Sequence, residues 1–230
     1  MPPDPERERP DGPDSGPPAV PDGARRISVG FDRLPRWLDG FATNHGAFSV
    51  RAAGDTVLVE AADGARAWIA VPFGPWAVPA SRPLTALQLH LNRDRRIGVL
   101  LVRRGGYAAG VFTGRTLVSS KVGTSYVQGT TKAGGWSQQR YARRRANQSQ
   151  AAFAAAAEVA ARILLPELRT LDALICGGDH AAVDAALSDP RLAGLLPLRV
   201  PPFLPVPDPR LKVLQATPDQ FLTVTIHLVP

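Results

Sequence analysis

From Gly134 to Leu165 the chain reads GGWSQQRYARRRANQSQAAFAAAAEVAARILL. From Ser137 onward this stretch has no proline and is rich in alanine, glutamine and arginine, residues that lose little on entering a helix. It predicts one long helix with an apolar stripe through Ala142, Ala146, Phe153, Ala157, Ala160 and Leu164. What flanks the helix decides the fold. Before it, RIGVLLVRRGGYAAGVFTGRTLVSSKVGTSY (96–126) reads as two or three strands turning at Gly105-Gly106 and Gly114, and VQGTTKAGG (127–135) as a loop. After it, LDALICGGDHAAVDAALSD (171–189) reads as strand, turn and helix, with Asp179 as N-cap. LRVPPF (198–203) and FLTVTIHLV (221–229) read as further strands. Strands alternating with helices predict an α+β or α/β domain, a mixed β-sheet with flanking helices, over 84–230.

Upstream the pattern changes. RISVGF (26–31) reads as a short strand, and DRLPRWLDGFATNHG (32–46) spaces Leu34, Leu38 and Phe41 as a helix that stops at Gly46. AFSVRAA, TVLVEAA and ARAWIAVPF follow as three strands of an antiparallel meander. GPWAVPASRP (74–83) breaks the pattern and joins the two regions. Residues 25–83 are thus expected to form a small α+β region. Residues 1–24, which open MPPDPERERPDGPDSGPPAVPDG, are proline, glycine and charge with little to bury, and are expected to be a disordered tail.

The 230 residues, 44% of them hydrophobic, suffice for one large domain or two small ones. The single cysteine, Cys176, cannot form an internal disulfide and fits a reducing compartment. No apolar run reaches the roughly 18 residues of a spanning helix. A cytoplasmic protein with no membrane partner is expected, and a monomer.

Net charge is +7, and the excess is not spread evenly. Between Asp94 and Glu158 there is no acidic residue, yet that interval holds Arg95, Arg96, Arg103, Arg104, Arg115, Lys121, Lys132, Arg140, Arg143, Arg144 and Arg145. Such a block is either a solvated basic surface or a polyanion site, and the missing acids favour the second. The helix start sharpens this. A helix N-terminus carries partial positive charge and favours acids in its first turn. Here Gln138, Gln139 and Arg140 stand there instead, followed by three more arginines. Free N–H groups and guanidinium groups converge, which suits phosphate. Tyr126, Trp136 and Tyr141 can stack on bases or anchor the core equally well.

The four histidines, at 45, 90, 180 and 227, lack metal-ligand spacing, and no nucleotide-loop fingerprint appears. ICGGDH reads better as a plain turn into a capped helix than as a phosphate loop. Cys176 lies in an apolar strand pattern and reads as a buried small hydrophobe. Glutamine is a poor general base, but its amide donates to an oxyanion and accepts from a water. Gln138 and Gln139 are therefore either such a device or plain polar residues opening a helix.

The same stretch resembles a known family. The middle, catalytic domain of archaeal and eukaryotic class-I release factors carries GGQSALRFAR, and GGWSQQRYAR stands here in the same register. Gly134, Gly135, Ser137, Arg140, Ala142 and Arg143 match, and Tyr141 replaces a phenylalanine. The resemblance covers roughly 84–230 and is strongest to Vms-like release factors, including their actinobacterial members. It implies a peptidyl-tRNA hydrolase acting on stalled ribosomes, with the large ribosomal subunit and peptidyl-tRNA as partners and no cofactor or metal. Trp136 occupies the release-factor glutamine position. The Vms-like glutamine falls slightly further along and maps to Gln138, with Gln139 an adjacent competitor. Gly134 and Gly135 would complete the catalytic motif, and Lys132, Arg140, Arg143, Arg144 and Arg145 would bind RNA phosphates. The resemblance further implies that the substrate's ribose hydroxyl and rRNA handle the protons. No stop-codon-reading domain is evident, which favours rescue over ordinary termination. Trp136 in the release-factor glutamine position favours one alternative, a ribosome or tRNA adaptor that keeps the fold without the chemistry; another is a general RNA-binding protein in which Gln138 is incidental.

Overall fold

The computed structural model describes residues 19–77, 81–124 and 137–230, with side chains from residue 150 onward in the last of these. In chain order the elements are β1 (Arg25–Gly30), α1 (Leu34–His45), β2 (Phe48–Ala53), β3 (Thr56–Ala61), β4 (Arg66–Ala70) and α2 (Pro83–Leu91). There follow β5 (Arg96–Arg103), β6 (Gly106–Thr113), β7 (Thr116–Thr124), α3 (Ser137–Leu164), β8 (Ala173–Gly178) and α4 (His180–Leu187). The chain closes with α5 (Leu211–Gln215), α6 (Pro218–Phe221) and β9 (Thr223–Val229). The fold is α+β, with two sheets among the described residues.

The described residues fall into two units. One comprises the chain up to Val29, Arg33–Gln88 and Val224–Pro230; the other comprises Gly30–Asp32 and Leu89–Thr223. The expectation of one region over 84–230 thus meets a different division at its end. β9 pairs antiparallel with β4, Trp68 opposite His227 and Ile69 opposite Ile226. The expected tail over 1–24 lies outside the described residues up to residue 18.

The first unit holds a five-stranded sheet in the order β1-β9-β4-β3-β2. Its β2-β3-β4 meander is antiparallel, as the tight turns predict. Leu34, Leu38 and Phe41 are the buried face of α1, and Phe41 stacks on Trp37 at 5.5 Å between ring centroids.

The second unit holds a four-stranded sheet, β7-β6-β5-β8. β5 and β6 pair antiparallel, as do β6 and β7, while β8 runs parallel to β5. The link from β7 to β8 is therefore a crossover between parallel strands, and α3 lies within it. Leu100, Val102, Ala109, Val111, Leu174 and Cys176 form one cluster with Ala156, Ala157, Ala160 and Leu164 of α3 and with Ala182, Val183 and Ala186 of α4. On the opposite face Phe112 meets Phe221 of α6 edge to face, 5.8 Å between centroids, and α5 packs on β6. β5 is covered on both faces, which is why GVLLV reads as a continuous apolar run and not as an alternation.

α3 runs from Ser137 to Leu164, one residue short of its expected end. Ala157, Ala160 and Leu164 are buried as the stripe predicts, Phe153 partly so; Ala142 and Ala146 lie outside the described side chains. Three local readings differ. Pro83, expected to end the joining segment, opens α2, where a proline's missing N–H costs nothing. LRVPPF forms no strand: Arg199 makes one isolated parallel bridge to Leu174, and Leu204, just after the segment, another to Gly177, because Pro201 and Pro202 have no N–H for a ladder. Asp179 occupies the N-cap of α4 but makes no side-chain cap bond; its carboxylate lies 3.5 Å from Arg103 Nε instead.

Candidate functional site

The strands β5, β7 and β8 point the same way, so their carboxyl ends share one end of the sheet. Thr124 pairs with Gly106, and Gly178 with Val102. The segment 125–136, which carries Lys132, Gly134 and Gly135, leaves the sheet there and lies outside the described residues. α3 begins immediately after it. Gln138, Gln139 and Arg140 lie in its first turn, which contains no acid, and Arg143, Arg144 and Arg145 follow in the next two turns. Their side chains are outside the described set.

The length of α3 fixes how far it reaches. A Cβ at Gly98, near the start of β5, would lie 3.3 Å from Leu164 Cδ2, so the carboxyl end of α3 sits level with the start of β5. From Leu164 back to Ser137 the helix rises about 40 Å. From Gly98 to Arg103 the strand covers only about 16 Å. A helix running back along the strands therefore carries its first turn on the order of 20 Å past the end of the sheet.

The acid-free interval looks different in space from the way it looks in sequence. Arg96 pairs with Glu167 at 2.8 Å, and its backbone N–H donates to the Asp172 carboxylate. Hydrogen bonds from Arg96 and Thr170 hold the Glu167 carboxyl below its usual range. Arg103 donates to the Val206 carbonyl at 3.0 Å and lies near Asp179 and Asp208. Arg115 pairs with Asp219. Arg95 is 5% exposed and reaches His90 at 2.9 Å; its burial lowers its pKa. Four of the interval's arginines thus brace the fold, using partners from outside it. Sequence counting misses this because the acidic partners of Arg96, Arg103 and Arg115 are folded back from later residues. Arg104 and Lys121 are exposed, and Lys121 stands on the α3 side of β7, opposite Ala109.

ICGGDH is a packed turn, as its sequence reads. Gly177 faces the Leu204 backbone, and Gly178 adopts φ +100 against the Val102 carbonyl. Cys176 is 2% exposed, and burial pushes its thiol up to about 12, so it is a neutral core group and no nucleophile. Beside it lies a cavity of about 290 Å³ that also takes in Arg199, Val200, Pro201 and Pro202 and the stacked rings of His180 and Phe203. Sequence reasoning passed over this cavity, whose walls come from segments some 20 residues apart. Among the described residues no three metal-ligating side chains converge, and no helix is long and apolar enough to cross a membrane.

Residues 95–227, from the start of β5 into β9, match the family described as Actinobacteria/chloroflexi VLRF1 release factor. That is more than half of the chain. The chain belongs to this VLRF1 release-factor family. The family match takes in the sheet, the segment 125–136 and the whole of α3. Among solved structures, an archaeal translation termination factor, aRF1, is similar at 18% identity and a TM-score of 0.42, over 79% of this chain and 50% of its own. An archaeal protein is similar at 16% identity and a TM-score of 0.38, over 68% of this chain and 47% of its own. This VLRF1 family member thus spans about half the length of those two structures. No curated protein matches it.

Proposed function

We propose that this chain is a ribosome-associated peptidyl-tRNA hydrolase that releases nascent peptides from tRNA on stalled ribosomes in the cytoplasm. Membership of a release-factor family supports the setting. The observation that carries the chemistry is the start of α3 at Ser137, directly behind Gly134-Gly135, which sets Gln138 and Gln139 in an acid-free first turn. The first N–H groups of a helix lack partners within it, so this turn offers donors as well as amides.

The substrate is the ester between the peptide and the terminal ribose of tRNA. The Gln138 side chain holds a water against the ester carbonyl carbon, accepting from it and so orienting its lone pair. Addition gives a tetrahedral oxyanion, which backbone N–H groups near Gly134, Gly135 and the helix start stabilise. Collapse breaks the ester bond, the ribose oxygen leaves with a proton, and the products are a peptide carboxylate and a free tRNA end. The substrate's ribose hydroxyl and rRNA relay the protons, since an amide does not titrate. Lys132, Arg140, Arg143, Arg144 and Arg145 hold RNA phosphates. The reach of α3 suits a motif that must enter a narrow site within the large subunit while its carrier stays outside.

The test is release of labelled peptide from stalled ribosome–nascent-chain complexes by the purified full chain, with ribosome binding measured in parallel. Gln138→Ala is expected to lower release by about 10²–10³-fold, as loss of one pre-organised polar group does. Binding should stay within about threefold, because the phosphate contacts remain. Gln139→Ala should be milder, since its side chain points about 100° away. A dead Gln139→Ala with an active Gln138→Ala would move the role by one residue. Trp136 in the release-factor glutamine position favours a second reading, a ribosome or tRNA adaptor. Tight binding without release by the wild-type chain would establish that reading.

A further inference from the structure

We infer that Tyr107 is a positioning residue for the glutamine motif: it fixes the end of β7, the last described strand before the segment 125–136, and packs into the core on which α3 lies. This rests on the hydrolase reading above. Tyr107 and Gly123 are direct cross-strand partners on β6 and β7. A Cβ at Gly123 would lie 2.4 Å from Tyr107 Cε2 and Cζ and 2.5 Å from its hydroxyl oxygen, so the tyrosine ring occupies the space a side chain would fill. A glycine on an edge strand is weakly held, and an aromatic ring laid over it from the neighbouring strand restores the missing packing. Beside this pair, a Cβ at Gly106 would lie 2.8 Å from the Gly123 carbonyl oxygen. Two close approaches thus pin the last turn of strand before Thr124, the final described residue ahead of the motif.

Tyr107 also reaches the core on which α3 lies. Its register partner on β5 is Val102, a member of the cluster that includes Ala156, Ala157 and Ala160 of α3. Tyr107 packs against that same cluster, together with Phe153. The ring thus lies on the α3 side of the sheet, at the end where α3 runs out beyond the strands. One side chain therefore fixes the exit of β7 and packs into the same cluster as the helix that carries Gln138. A lever some 20 Å long magnifies a small tilt at its base, and a 1 Å misplacement of reacting groups can cost about 100-fold.

The experiment uses the full chain and compares Tyr107→Phe, Tyr107→Leu and Gly123→Ala with Leu214→Ala, which removes a buried side chain from α5 on the opposite side of the sheet. Each variant is measured for melting temperature, ribosome affinity and single-turnover peptide release at saturating enzyme. Tyr107→Leu and Gly123→Ala should lose release by about tenfold or more, with affinity nearly unchanged. Tyr107→Phe keeps the ring and should retain release. Leu214→Ala should lower the melting temperature at least as much and keep its release rate, which separates positioning from general destabilisation. Release that follows melting temperature across all four variants would overturn the inference. So would wild-type release in both Tyr107→Leu and Gly123→Ala while Gln138→Ala is dead. Full release by Gln138→Ala and Gln139→Ala together would instead sink the hydrolase reading itself.

Discussion

A Cβ at Gly178 would sit 2.2 Å from the Val102 carbonyl oxygen, and the residue's φ is +100. Both facts forbid a side chain. Gly178→Ala should therefore cost about 2–4 kcal/mol, combining left-handed strain with overpacking, and chemical denaturation reads it as a lower midpoint with an unchanged slope. Two residues earlier, Cys176 makes a pH prediction. Burial raises its native thiol to about 12, above its ordinary 9.0. Below pH 9 both states are protonated and the thiol contributes nothing to the pH dependence. Between 9 and 12 the unfolded thiol ionises and the native one does not, so stability falls by about 1.4 kcal/mol per pH unit from this group. Cys176→Ala should flatten the alkaline decline relative to wild type, and an identical alkaline slope in both proteins would contradict a buried neutral thiol. The burial of Cys176 was legible from its apolar strand pattern. The roles of Arg96 and Arg103 were not, because Glu167 and Asp208 lie too far along the chain for local charge counting to pair them.

At the scale of the element, α3 was the most legible piece of the molecule. A proline-free, alanine-rich run of this length has few alternatives, and the structure ends it at Leu164. Its division of labour follows from sequence as well: the alanines from Ala152 onward let the helix lie close on β6, while Arg140, Arg143, Arg144 and Arg145 come before them. Replacing Arg143, Arg144 and Arg145 by alanine should weaken ribosome or tRNA binding and flatten its salt dependence by about one unit of log–log slope per lost contact. Melting temperature should hold or rise, since cations near a helix N-terminus oppose its dipole. Unchanged affinity and slope would make the three arginines a solvated face. LRVPPF reads as a strand but does not form one for a physical reason: its apolar residues are strand-like, but between Val200, which donates to Leu174, and Leu204, which donates to Cys176, stand two prolines that cannot donate.

At the scale of the whole molecule, the family match stops at residue 227, yet β9 belongs to the sheet of the unit that precedes the match. This was the least legible feature. FLTVTIHLV reads correctly as a strand, but nothing local says that its partners lie some 160 residues earlier. Only the closed hydrogen-bond ladder from Arg66 opposite Val229 to Ala70 opposite Thr225 fixes the pairing. The consequence is testable. β9 lies between β1 and β4, so removing residues 223–230 opens two sheet edges at once and strips Val224 and Ile226, both fully buried, from the first unit. Losing two such side chains costs about 3–6 kcal/mol, enough to unfold a small unit of marginal stability. Hydrogen exchange of the truncated chain should show β3 and β4 unprotected, while Val99–Val102 and Leu174–Cys176, inside the other sheet, keep slow exchange. Loss of protection in both units together would mean that the two fold as one cooperative body, and that the matched region depends on the sheet its own last strand completes.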